Sequence, residues 1–88
     1  MINFIKNIFK KKLYTILGRG GISYSSEGDE FYIETNNFLE KKEYSVEIFY
    51  KDIKSIKNKI PLSESDKKKL AIIVKDLLNE DGIKAIIS

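Results

Sequence analysis

Ile22-Ser23-Tyr24-Ser25-Ser26-Glu27-Gly28-Asp29-Glu30-Phe31-Tyr32-Ile33-Glu34 is the stretch that decides the fold class. Apolar residues recur at every second position on both sides of Ser26-Glu27-Gly28-Asp29, a run of turn-forming residues. A period of two puts alternate side chains on opposite faces of an extended chain. The stretch therefore predicts two strands joined as a hairpin, with Ile22, Tyr24, Phe31 and Ile33 facing a core.

Outward from the hairpin the pattern continues on the C-terminal side. Asn36-Asn37 marks a break or bulge, with Phe38 and Leu39 tucked beneath it, and Glu40-Lys41-Lys42 supplies the next turn. Tyr44, Val46, Ile48 and Tyr50 then alternate with Ser45, Glu47 and Phe49, which predicts a third strand. Ile53 and Ile56 suggest a short fourth. Beyond Pro61, Ser63 reads as the N-cap of a helix over 63–80, with Glu64 and Asp66 at its positive end. Leu70, Ile73, Val74, Leu77 and Leu78 form the buried stripe of that helix. Asp81-Gly82 stops it, and residues 83–87 read as a final strand.

On the N-terminal side the period is helical. Ile2, Ile5, Phe9, Leu13 and Ile16 fall on one narrow stripe and predict an amphipathic helix over 1–17, ended by Gly18, Gly20 and Gly21. Lys10–Lys12 break the apolar run, so the segment does not read as a signal peptide. No stretch has the uninterrupted apolar length of a membrane span. The expected order is α-β-β-β-(β)-α-β, with strands within 21–57. It describes one α+β domain over 1–88: an antiparallel sheet of four to five strands with both helices packed on one face.

Composition narrows the function. The 88 residues contain no Cys, His or Trp. That removes disulfides, the usual zinc ligands, the nucleophilic thiol and the commonest acid–base side chain, and it suits a reducing cytoplasm. The formal net charge is +3, but it is segregated. Residues 1–19 carry Lys6, Lys10, Lys11, Lys12 and Arg19 without an acid. Residues 27–52 carry eight acids against Lys41, Lys42 and Lys51. Such asymmetry bears on the choice of partner more than the net value does.

Candidate chemistry is sparse. Asp29 and Glu30 adjoin a turn, and Glu34 and Glu47 could approach as a carboxylate pair across neighbouring strands, but nothing in the sequence builds a cleft around them; a solvated acidic face or a protein-binding patch is the simpler reading. Their spacing matches no calcium loop. Gly18-Arg19-Gly20-Gly21 follows a helix instead of opening one, so it reads as a connector and not as a phosphate cradle. No catalytic residue, cofactor or metal ligand is assigned. The basic N-terminal helix could lie on an anionic membrane with Phe4, Ile5, Ile8 and Phe9 inward, or contact nucleic-acid phosphates; most such helices simply pack on their sheet. Alternation leaves Ser23, Ser25, Glu30, Tyr32, Glu34, Ser45, Glu47 and Phe49 pointing away from the core. Aromatics among carboxylates are the composition of a protein-recognition patch. The competing reading has Phe49 covered by residues 38–39 or by the last strand.

From Leu17 onward the chain resembles small bacterial immunity proteins of polymorphic-toxin and contact-dependent growth inhibition systems, immunity protein family seventy-four in particular. The residues that carry the likeness are Gly18-Arg19-Gly20-Gly21-Ile22-Ser23-Tyr24, Asp29-Glu30-Phe31-Tyr32-Ile33-Glu34 and Ile48-Phe49-Tyr50-Lys51-Asp52-Ile53-Lys54-Ser55-Ile56, followed by Ile60-Pro61-Leu62-Ser63-Glu64-Ser65-Asp66 and the closing strand. The helix over residues 1–16 and the lack of Trp depart from the family. The resemblance implies a small cytoplasmic antitoxin that binds a cognate protein toxin, encoded by the adjacent upstream gene, and covers its active site.

On this reading the acidic 27–52 segment suits the basic cleft of a nuclease toxin. Glu30, Glu34 and Glu47, with Asp29, make the polar contacts, and Tyr32 and Phe49 are the anchors. The alternative is a peripheral nucleic-acid or membrane-surface binder using the N-terminal helix with Lys54, Lys57 and Lys59. An exposed edge strand would also let two copies pair.

Overall fold

A computed structural model describes residues 13–40 and 43–88. These residues form β1 (Tyr14–Ile16), β2 (Ile22–Ser26), β3 (Asp29–Ile33), β4 (Thr35–Glu40), β5 (Glu43–Ile48), a single 3-10 turn (Tyr50–Asp52), β6 (Lys54–Ser55), α1 (Glu64–Glu80) and β7 (Lys84–Ile87). The class is α+β, as the two periodicities predict, but the strands divide between two sheets. One has the order β1-β2-β3-β6 and the other β4-β5-β7.

The predicted hairpin is present, with Ile22 opposite Ile33, Tyr24 opposite Phe31 and Ser26 opposite Asp29. Its two turn residues, Glu27 and Gly28, both have positive φ (50° and 78°). That geometry matches the right-handed twist of the flanking strands. Tyr24 and Phe31 stack across the pair with ring centroids 6.2 Å apart.

Several expectations are corrected. The N-terminal helix does not extend to residue 17: Tyr14–Ile16 is a strand, with Tyr14 opposite Tyr24 and Ile16 opposite Ile22. Residues 1–12 of that expected helix lie outside the described residues. Tyr, Thr and Ile suit a pleated surface, and β2 offers them one, which a helical wheel cannot register. Gly18–Gly21 therefore joins two strands, closed by the Leu17 N–H donating to the Gly21 carbonyl at 3.0 Å. Asn36-Asn37 is no break; both lie within β4, opposite Glu47 and Val46. Phe38 and Leu39 are not tucked away but are 47% and 70% exposed. The last strand is present, but it lies parallel to β5, with Val46 opposite Ala85 and Ile48 opposite Ile87. The intervening α1 supplies the long connection that a parallel pair needs.

The core is drawn from both sheets and the helix: Ile22, Tyr24, Ile33, Val46, Ile48, Ile53, Ala71, Val74, Leu78 and Ala85 are buried. On α1 the buried stripe is Ala71, Val74 and Leu78, while the predicted member Ile73 is 42% exposed. The helix begins as its sequence predicts, with the Ser63 hydroxyl accepting from the Asp66 N–H at 3.1 Å. Its far end is tied to the first sheet by the Tyr14 hydroxyl, which donates to Asp81. Burial, followed by this bond and the Asp81 charge, pushes the Tyr14 hydroxyl up to about 12.

Leu78→Ala should remove about 2–5 kcal/mol of stability, because the cavity it opens lies where helix and sheets meet. Leu39→Ala should change stability by less than about 0.5 kcal/mol. Urea denaturation of the two variants measures the difference, and equal losses would contradict this placement of the core.

Candidate functional site

The outward faces follow from strand register. In the first sheet Thr15, Ser23, Tyr32 and Lys54 form one cross-strand row. Ser25 and Glu30 sit opposite each other one step along. The Ile56 N–H donates to the Glu30 carbonyl at 2.7 Å, which extends that step beyond β6. The intervening residues Ile16, Ile22, Tyr24, Phe31 and Ile33 point the other way, into or against the core.

Glu30, Tyr32 and Glu34 occupy alternate positions along one strand and its exit, and hydroxyls order them. The Ser23 hydroxyl donates to Glu30 Oε1 at 2.8 Å, and the Tyr32 hydroxyl donates to Glu34 Oε2 at 2.9 Å. The bond to Glu34, with burial adding to it, raises the Tyr32 hydroxyl above its ordinary range. The Tyr32 ring also passes close to Gly21, where a Cβ would stand 2.8 Å from its ring carbon Cε1. Gly21 has φ +94°, so a side chain there would be both strained and obstructed.

Glu34 stands at the junction between the two sheets. Phe49, half-buried, meets it there: the Phe49 N–H donates to the Glu34 carbonyl at 2.9 Å. Glu47 is on the second sheet, opposite Asn36 on one side and Ile86 on the other. The Ser88 hydroxyl donates to its Oε2 at 2.6 Å. The register therefore places Phe49, and not Glu47, across from Glu34. The expected cross-strand approach of Glu34 and Glu47 is replaced by an Asn36–Glu47 pair.

Asp29 has a different position from the other acids. It is 8% exposed and turned inward. Its Oδ1 accepts from the Glu30 N–H at 2.7 Å and the Asn58 N–H at 3.0 Å, and its Oδ2 accepts from the Ser55 hydroxyl at 2.6 Å. The Ser55 hydroxyl in turn accepts from the Ile60 N–H at 3.1 Å. The Ser55 bond holds the carboxyl below the usual carboxylate range; desolvation opposes it, and the N–H groups of Asn58, Glu30 and Lys57 add to it. Asp29 thus anchors the 55–60 loop to the hairpin and contributes nothing to the outer face.

Two residues that sequence reasoning left out complete the surface. Leu17 and Ile56, 45% and 47% exposed, flank a shallow groove of about 430 Å³ floored by Ser23, Glu30 and Tyr32. Ile56 had a readable signal in its two-residue spacing from Lys54. Leu17 had none, because the helical stripe concealed its strand neighbour. The arrangement offers ordered acceptors and an aromatic ring between exposed aliphatic side chains. Among the described residues, no group of three or more Asp, Glu, His or Cys could hold a metal ion. Among them, too, no helix is long and apolar enough to cross a membrane.

Comparison with protein-family models, with curated proteins and with solved structures finds no match to this chain.

Asp29 yields a test of its anchoring role. Because its folded-state affinity for a proton is lowered, its contribution is complete above the ordinary carboxylate range and is lost as pH falls through the folded value. Asp29→Asn should lower the thermal midpoint near neutral pH and flatten its decline toward acid. Thermal melts from pH 7 to pH 2 measure both, and parallel curves for the two proteins would contradict the assignment.

Proposed function

We propose that this chain is an immunity protein: it binds a cognate toxin domain, a nuclease, and neutralises it by covering the active site. The observation that carries the reading is the outer face of the first sheet. Tyr32 is held by Glu34 between two exposed aliphatic residues, Leu17 and Ile56, with Glu30 beside it. A rigid aromatic anchor with an apolar surround and an ordered acidic rim is the make-up of a binding hot spot. Acidic acceptors also suit a partner that handles phosphates, since such a partner must present Lys and Arg in its cleft. The resemblance of the strand and loop motifs to bacterial immunity proteins points the same way.

In this proposal Tyr32 is the central anchor, and Glu30 and Glu34 steer and orient the toxin. Phe49 and Glu47 extend the contact across the junction. Nothing in the role requires turnover; the protein acts by occupancy, in the cytoplasm where the toxin meets its target. Co-expression with the product of the adjacent upstream gene tests the class, and the host should survive only when both are made. Within a purified complex, Tyr32→Ala should weaken binding by about thirtyfold or more, as a hot-spot truncation does. Glu30→Lys with Glu34→Lys should chiefly slow association, by calorimetry and stopped flow. Undiminished affinity in both variants would place the contact elsewhere.

One observation favours a second reading. Lys54, Lys59 and Lys67 line a single groove of about 430 Å³ with Ile53, Ile60, Pro61 and Leu62. Three ammonium groups beside an apolar strip can take a polyanion, and binding of DNA or RNA would then weaken steeply with salt. Lys59→Glu with Lys67→Glu, both off the Tyr32 row, separates the two readings: it abolishes such binding but leaves toxin neutralisation intact.

A further inference from the structure

β7 is a terminal strand of its sheet, with β5 as its neighbour among the described residues. Which backbone groups it leaves unpaired can be read from the register. The Ser88 N–H donates to the Ile48 carbonyl at 2.7 Å, and Ile48 stands opposite Ile87. In a parallel ladder this means that Lys84, Ile86 and Ser88 direct their peptide groups toward β5. Ala85 and Ile87 direct theirs toward the outer edge.

That edge is self-complementary. We propose that two copies of the chain pair through β7 in antiparallel fashion about a two-fold axis at Ile86, joining their three-stranded sheets into one of six strands. Ala85 of each copy then exchanges both peptide hydrogen bonds with Ile87 of the other. Ile86 faces its own counterpart as the non-hydrogen-bonded pair, whose Cα atoms approach to about 4.5 Å. Its side chain is 58% exposed, on the outer face of the sheet beside Glu47. The pairing gives that apolar surface a matching partner.

Charge supports the same register. Lys84, exposed, comes opposite Ser88 of the second copy. Ser88 is the residue whose hydroxyl rests on Glu47. Each Lys84 ammonium is thereby brought to the other copy's Glu47 carboxylate, and the two-fold axis creates the ion pair twice. A shift by two residues would lose the Ile86 pair and separate these charges. Residues 83–88, Ile-Lys-Ala-Ile-Ile-Ser, contain no Pro and a single charge, so the edge lacks most of the features that blunt exposed strands. The interface is isologous and closed, so it stops at two copies. It lies on the second sheet, away from Tyr32, Glu30 and Glu34, and meets the proposed toxin contact only at Glu47.

The chain has no cysteine, so a single introduced thiol reports position cleanly. Sedimentation equilibrium of the unaltered protein should show twice the 10.2 kDa chain mass at high micromolar concentration. Ile86→Lys, at an exposed position, should raise the dimer dissociation constant by roughly tenfold or more, since it sets like charges face to face. Under mild oxidation Ile86→Cys should form a disulfide-linked dimer much faster than Ser25→Cys, an exposed control on the first sheet. A 10.2 kDa species at all concentrations would overturn the proposal. A dimer in which Ile86→Cys cross-links no faster than the control would overturn it too, because the copies would then meet elsewhere.

Discussion

The structure depends on the passage of the chain from one sheet to the other at Glu34-Thr35. β3 ends at Ile33 and β4 begins at Thr35, so a single residue separates two sheets. Thr35 is 3% exposed, and its hydroxyl cannot be left without partners there. It accepts from the Gly21 N–H at 2.8 Å and donates to Asn37 Oδ1 at 2.7 Å. Asn37 completes the node through its side-chain N–H to the Gly18 carbonyl and its backbone N–H to the Arg19 carbonyl, each at 2.8 Å. One buried hydroxyl thus ties the β1–β2 loop to the start of β4.

The outer surface inherits its order from that node. The loop it holds carries Gly21, and the absence of a side chain at Gly21 makes room for the Tyr32 ring. Tyr32 then reaches Glu34 at the sheet junction. A loop residue with a left-handed backbone and no side chain therefore leaves the space that the aromatic ring of β3 occupies. The carboxylates divide by the same geometry. Glu30, Glu34 and Glu47 each accept from a hydroxyl on the outer face, whereas Asp29 is turned inward to organise the loop after β6.

Alternation correctly oriented Ile22, Tyr24, Ile33, Val46 and Ile48 toward the core and Glu30, Tyr32 and Glu47 away from it, because the strand period is a property of the chain itself. Capping chemistry placed the start of α1 for the same reason, since Ser63 and Asp66 are three residues apart. Segments whose state depends on a distant partner were not legible. Tyr14–Ile16 fits a helical stripe as well as a strand until β2 is beside it. Asn36-Asn37 carries the composition of a turn, yet the side-chain and backbone N–H groups of Asn37 are taken up by Gly18 and Arg19.

What the sequence alone determined is the α+β class, the hairpin, the helix that follows Ser63, the closing strand and the acidic, aromatic character of the outward positions. All of these follow from periodicity and short-range hydrogen bonding. What the tertiary structure decided is the division into two sheets, the parallel placement of β7, the exposure of Leu17 and Ile56 beside Tyr32, and the withdrawal of Asp29 from the surface. Those depend on contacts between residues far apart in the chain, and no local pattern encodes which distant backbone will arrive to take up a hydrogen bond.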